Sequence, residues 1–282
     1  MKLASFIHNG VATYGYVSDA GVHPVKDSVR TASPTLLGFL TQHPVAQLSS
    51  SCGEAVSEEE ITWLPPIPEP SKIICAGMNY RKPYPVEGVA PPDPGNVVLF
   101  ARHTETLVAH GAGLEYPVGP AAETFDFEGE IVAVIGKPGR HIATDQATQH
   151  VLGYSAMNEG SVRGWMKHSV HAGKNFNASG SWGPWIVTRD EAPDISEMRL
   201  ETRVNGTLMQ SALGSEMIFD LPTLISYISG LLPLKTGDII ATGSPDGTGG
   251  SRTPPAFLHS GDKVEVSVSG VGTLQNRVGS SG

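Results

Sequence analysis

The chain has 282 residues, 39% of them hydrophobic and 17% charged, which is long enough to bury a sizeable core and lies outside the range of disordered or fibrous proteins. Its 19 basic residues against 28 acidic ones give a formal charge of −9 without a Lys/Arg-rich stripe, which argues against a nucleic-acid partner. Cys52 and Cys75 are too few and too far apart for a disulfide scaffold or a cysteine zinc site, and no stretch approaches the roughly 20 apolar residues of a membrane span, so a cytoplasmic protein with no membrane partner is expected.

The first 21 residues read as two short strands around His8, Asn9 and Gly10, followed by a helix near TLLGFLTQ. LPPIPEPS at 64–71 is too proline-rich for helix or central strand and reads as a linker, which divides the chain into a small N-terminal α+β domain, 1–66, and a larger domain, 67–282. Beyond it strands dominate: SKIICAGMNY, NVVLFAR, EGEIVAVIG, HVLGYSAMN, GPWIVTRDE, MRLETRVNG, DIIATGSP and DKVEVSVSGVGTLQNRV. TDQATQHV and LPTLISYISGLLPL carry helical patterns.

Chemistry is sought at strand ends. In D-F-E-G-E, Glu128 and Glu130 stand two apart, so a strand projects both from one face, where they repel unless solvated at an exposed end or shared by a cation. Glu159 follows another apolar strand and is either a third oxygen ligand or an acid at a helix start. If the three meet, a hard divalent ion relieves their repulsion, whereas zinc lacks a neighbouring His or Cys at ligand spacing. Lys174 lies in a Gly-flanked segment soon after and could neutralise a ligand carboxylate or meet a substrate carboxylate. His168 and His171 are nearby acid or base candidates, and Asp126 and Asp246 read as loop acids. ATGSPDGTG has the look of an anion loop but lacks the G-K-[ST] of a P-loop.

Taken in order, KIICAGMNYR, VVLFAR, FDFEGEIVAVIGK, HVLGYSAMNEGSVR, GKNF, GPWIVT, VNGTLMQ, LKTGDIIATGSPDG and LHSGDKVEVSVSGVGTLQN resemble the fumarylacetoacetate hydrolase family over about residues 70 to 279. The resemblance implies a strand-rich α+β fold, a mixed β-roll with a metal site at its open end, and a homodimer. An exposed apolar SWGPWIV segment is read as a further reason for dimerisation. It implies Mg²⁺ or Mn²⁺, with Ca²⁺ as a third option, on Glu128, Glu130 and Glu159, the last standing where the family usually has Asp. It also assigns Lys174 with Glu128 and Glu130 to catalysis and places Tyr80, Arg81, Arg102, Gln210 and Thr242 on the substrate side.

The implied reaction is metal-assisted chemistry on a small 2-oxo acid through an enolate, foremost hydrolytic C–C cleavage of an acylpyruvate-like 1,3-diketo acid. Decarboxylation, isomerisation, tautomerisation and non-catalytic binding of a related 2-oxo acid are the alternatives. One departure bears on that choice. Hydrolases of the family commonly carry N-Y-x-x-H-x-x-E, a His–Glu dyad that activates water, but this chain reads N-Y-R-K-P-Y-P-V-E, with Pro83 at the histidine position. His103, His168 and His171 are then the candidate replacement bases.

Overall fold

The computed structural model describes residues 1–81 and 93–279, so Pro83, Pro85 and Glu87 lie outside the described residues. The N-terminal part runs β1 (Lys2–His8), β2 (Val11–Ser18), β3 (Gly21–Pro24), α1 (Asp27–Ala32), α2 (Leu36–Gln42), α3 (Leu48–Ser51) and β4 (Ile61–Trp63). Asn9 and Gly10 both adopt positive φ, the conformation that a tight right-twisted hairpin requires. Thr35 caps α2 by accepting from Gly38 N, as the TLLGFLTQ pattern leads one to expect.

Next come β5 (Ile73–Gly77), β6 (Val98–Ala101), β7 (Leu107–Val108), β8 (Gly113–Leu114), β9 (Phe125–Asp126), β10 (Gly129–Ile135), β11 (Val151–Asn158) and β12 (Ser161–Val162). The short α4 (Val170–Lys174) precedes β13 (Gly180–Thr188), β14 (Arg199–Val204) and β15 (Thr207–Leu213). The chain ends with α5 (Leu221–Leu231), β16 (Ile239–Ala241), β17 (Lys263–Val268) and β18 (Gly272–Val278). Two expectations change. TDQATQHV forms a 3₁₀ segment over Thr144–His150, with no side-chain cap on its first turn. β15 completes a hairpin whose second half carried no strand expectation.

The large sheet has the order β3-β2-β1-β13-β11-β10-β16-β5-β6, with β4 on β1 and β7 on β13; a second sheet has the order β15-β14-β17-β18-β8. Parallel pairing of β16 with β5 and of β18 with β8 makes both sheets mixed. β10 is buried along its whole length, because both of its faces are covered. Ile131, Ala133 and Ile135 face the second sheet, where they join Leu200, Val266 and Leu274 and the α5 residues Leu224 and Ile228. Val132 and Val134 face the other way and share a core with Leu3, Tyr14, Leu36 and Phe39. The fold is therefore a strand-rich α+β architecture.

The division near residue 66 is crossed by both sheet and core. β1 pairs with β13 through Lys2 and Leu3, and Ile67 of the proline-rich segment is fully buried. The SWGPWIV segment is not an exposed apolar face. It is β13, between β1 and β11 and buried everywhere except Trp185, so it lends no support to a dimer. Among the described residues no helix is long and apolar enough to cross a membrane.

Candidate metal centre

Glu130 follows the alternation of β10 and shares a face with Val132 and Val134; Glu128 precedes the strand by one residue. β11 returns antiparallel and delivers Glu159 just past its end, where Glu159 N donates to Glu128 O at 2.7 Å. The carboxylate oxygens of Glu128, Glu130 and Glu159 lie within 4.8 Å of one another, and all three residues are buried. The repelling pair of the sequence is thus in the interior rather than at a solvated strand end.

Lys174, at the C-terminus of α4, reaches into the cluster: its Nζ is 2.6 Å from Glu128 Oε2 and 2.5 Å from Glu159 Oε2. Arg163, from the segment after β12, donates through Nε to Asp126 Oδ2 at 2.7 Å and through Nη1 to Glu128 Oε1. Asp126 is not a loop acid. It is fully buried in β9 and also accepts from Gly249 N at 2.7 Å and Gly250 N at 2.9 Å. Two amides of the ATGSPDGTG loop, those of Gly243 and Gly249, are thus committed to the protein's own carboxylates. Gly243, at φ 104°, a backbone open mainly to glycine, donates its N–H to Glu130 Oε2 at 2.8 Å.

These neighbours set the charge states. Burial opposes ionisation of Glu128, yet Arg163 and Lys174 hold its carboxyl down at about 2. Burial and then the adjacent Glu159 push Glu130 well above the usual carboxylate range, against the pull of Lys174. Burial disfavours the Lys174 ammonium, but Glu128 and Glu159 hold its pKa above the usual range.

The donor set fits a hard divalent cation. Among the described residues Asp126, Glu128, Glu130 and Glu159 face Arg163 and Lys174 alone as direct ion-pair partners, two positive charges short of neutrality when all are ionised. Glu159 Oε1 is buried without a hydrogen-bond partner among the described residues, a costly state that a ligated ion would relieve.

The other expected site residues fall into distinct places. Gln210 is buried and bridges: Gly129 N donates to its Oε1 at 2.9 Å, while its Nε2 donates to Ser244 Oγ at 2.8 Å and Pro245 O at 2.7 Å. Thr242 Oγ1 donates to Ile131 O at 2.9 Å, fixing the loop to β10. Arg102 is buried and donates to Gly160 O and Ser179 Oγ, both at 2.9 Å, which steadies the turn behind Glu159. Tyr80 is buried near Glu130, and burial followed by that charge raises its phenol pKa. Arg81 is exposed and pairs with Asp93 at 2.9 Å. His103 and His171 meet edge to face at 5.3 Å and His168 lies against Trp165, but none of the three lines the cavity beside the cluster. Arg163 was missed, although it follows the acidic turn by only four residues.

Comparison with known proteins supplies the remaining findings. Residues 72–279 match the family model described as fumarylacetoacetate (FAA) hydrolase, C-terminal. The oxaloacetate tautomerase YisK of Bacillus subtilis is 38% identical over 226 residues, which span 79% of this chain and 75% of that protein. A mitochondrial oxaloacetate tautomerase of Homo sapiens is 34% identical over 223 residues, 78% of this chain and 70% of its own. Among solved structures, a fumarylacetoacetate hydrolase from psychrophilic Exiguobacterium antarcticum superposes with TM-score 0.85 at 31% identity, covering 99% of each chain. The 2-hydroxyhepta-2,4-diene-1,7-dioate isomerase of Mycobacterium marinum does so with TM-score 0.77 at 25% identity, covering 100% of this chain and 99% of that one.

Proposed function

The chain belongs to the fumarylacetoacetate hydrolase family, and from that premise we propose that it is a divalent-metal-dependent tautomerase that interconverts the keto and enol forms of a 2-oxo acid. The observation that carries this reading is the buried Glu128–Glu130–Glu159 cluster, with Lys174 held beside it. The activity for which the two sequence relatives are named favours tautomerisation over the hydrolysis that the family name suggests. So does the wall of the cavity: among the described lining residues there is no histidine to activate a water.

Glu128, Glu130 and Glu159 would hold Mg²⁺ or Mn²⁺, with Ca²⁺ as the third option, and the ion would supply Lewis-acid polarisation of the 2-oxo group and its adjacent carboxylate. Gly243 N–H and Gln210 fix the ligand strand, so the carboxylates need little rearrangement to act together. Lys174 holds a proton on Nζ at the cavity wall, where its charge stabilises a developing enolate oxygen and its proton is available to the carbon that changes hybridisation, the proton lost from the enol oxygen restoring the ammonium. Arg163 keeps Glu128 ionised and offers its remaining Nη2, buried and without a partner among the described residues, to an anionic head group.

The test is the ultraviolet decay of an enolised 2-oxo acid with Mg²⁺ or Mn²⁺. We expect acceleration that Lys174→Met lowers by about 100-fold or more while the ion still binds. No acceleration over buffer with either ion would overturn the proposal. Cleavage of a 1,3-diketo acid is the second reading, favoured by the likeness to the Exiguobacterium hydrolase. A homodimer is proposed on the family resemblance alone and is tested by light scattering. A cytoplasmic location is proposed on the two buried free thiols, Cys52 and Cys75, which suit a reducing compartment.

A further inference from the structure

The cavity beside the carboxylates, about 220 Å³ in volume, has two unlike ends. One is the charged cluster. The other includes Met78, Val98 and Val170, with the hydroxyls of Ser244 and Thr248 among the polar groups of the described lining, while Phe100, its ring centroid 5.1 Å from Lys174 Nζ, and Met166, its Sδ 3.8 Å from Arg163 Nη1, border the charged cluster. Among the described lining residues the cations are Arg163 and Lys174, and both are committed to carboxylates at the charged end. The unpartnered Nη2 of Arg163 belongs to the same rigid plane as the Nε and Nη1 that hold Asp126 and Glu128, so it too serves that end.

Met78 adds an independent sign. Its backbone is left-handed, φ 53°, a conformation that costs a long unbranched side chain energy and that glycine or asparagine would adopt more readily. The strain holds a thioether that is 61% exposed at the mouth of the cavity. Met166 faces the same space, and two flexible, polarisable thioethers adapt to apolar groups of varied shape.

We propose that the 2-oxo acid turned over here carries an alkyl or aryl group, rather than a second carboxylate, on the carbon that enolises. The inference rests on the 2-oxo acid reading above and specifies its substrate. The head group lies on the charged end and the substituent enters the apolar end. A second carboxylate there would surrender its hydration to Met78, Val98 and Val170, and among the described lining residues the cations are already paired with the protein's own carboxylates. The chain thereby departs in specificity from relatives named for activity on oxaloacetate, a dicarboxylic acid.

The experiment uses the full chain loaded with Mn²⁺. Tautomerisation of phenylpyruvate and of oxaloacetate is followed by absorbance, and binding of 2-oxoisocaproate and 2-oxoglutarate is followed by calorimetry. We expect phenylpyruvate to exceed oxaloacetate in kcat/KM, and 2-oxoisocaproate to bind tighter than 2-oxoglutarate, each by about tenfold or more. Met166→Lys should invert both orders. Val170→Lys, at a half-exposed position that tolerates a charge more easily, should do the same if the first variant does not fold. Equal or reversed preferences in the unaltered protein would overturn the inference and leave the tautomerase standing. Absence of turnover and of binding for every probe would instead overturn the tautomerase, and the inference with it.

Discussion

Glu128, just before β10, and Glu130, within it, have opposite electrostatic fates, and the difference is measurable. Glu128→Gln should lower affinity for Mg²⁺ or Mn²⁺ by more than about 100-fold in calorimetry, since an amide neither carries the charge nor matches a hard ion. Undiminished affinity would return the cluster to a structural role. Glu130 allows a sharper test through pH. Its carboxyl is raised above the ordinary value of 4.5 in the ion-free fold, so the folded state holds that proton more tightly than the unfolded chain does. Its effect on stability is neutral below about 4.5 and becomes a penalty as pH rises from there through the folded value. Glu128, held at about 2, acts in the opposite sense: its contribution is present above 4.5 and fades as pH falls toward 2. Glu130→Gln should therefore raise the Tm of the chelator-treated protein near neutral pH while abolishing ion binding. A lower Tm would show that the residue is not a strained anion. The glutamates were legible because alternation along a strand is a local property. Arg163 and the buried state of Asp126 were not, because they depend on β9, β12 and the loop at 249–250 meeting in space.

At the scale of elements, the site depends on how closely β10 approaches β14. A Cβ on Gly129, the residue between the two glutamates, would lie 2.0 Å from Thr202 Oγ1 and 3.3 Å from Val266 Cγ1. Gly129→Ala should then cost about 1–3 kcal/mol in denaturant unfolding and weaken the ion site together with the fold. Adding Thr202→Ala, which removes the blocking hydroxyl, should recover about half of that loss or more, a non-additivity that a double-mutant cycle reads directly. Additive effects would mean that the two strands do not meet at this point. The short α4 offers a second test. Ser169 Oγ accepts from Ala172 N at 3.0 Å, and Ser169→Ala should cost about 1 kcal/mol. Turnover should fall more than the ion affinity, because α4 carries Lys174. Most strands were legible from β-branched runs bounded by Gly, Pro, Asn or Asp. Thr144–His150 was not, since its pattern fits a 3₁₀ segment as well as an α-helix, and β15 was hidden because its exposed and buried residues alternate without a strong apolar signal.

For the whole molecule, the proline-rich stretch at 64–71 marked a change in composition but not a structural seam. Leu3, Tyr14, Leu36, Phe39 and Leu48 share one core with Ile73, Val132, Met157, Trp182 and Ile239, so residues 67–282 expressed alone should expose that face and aggregate. A monodisperse, cooperatively melting fragment would contradict this. Composition cannot reveal a core shared across a boundary, because burial is decided by partners far apart in the chain. Lys174 and Arg163 have a last consequence at this scale. Two of the cluster's negative charges are already answered by side chains that the polypeptide carries with it, so, on the metal-dependent reading proposed above, emptying the centre should leave a folded protein. The cation then behaves as an exchangeable part. Catalytic throughput can track the free-ion level of the surroundings, falling and recovering within a single lifetime of the chain without new synthesis or refolding.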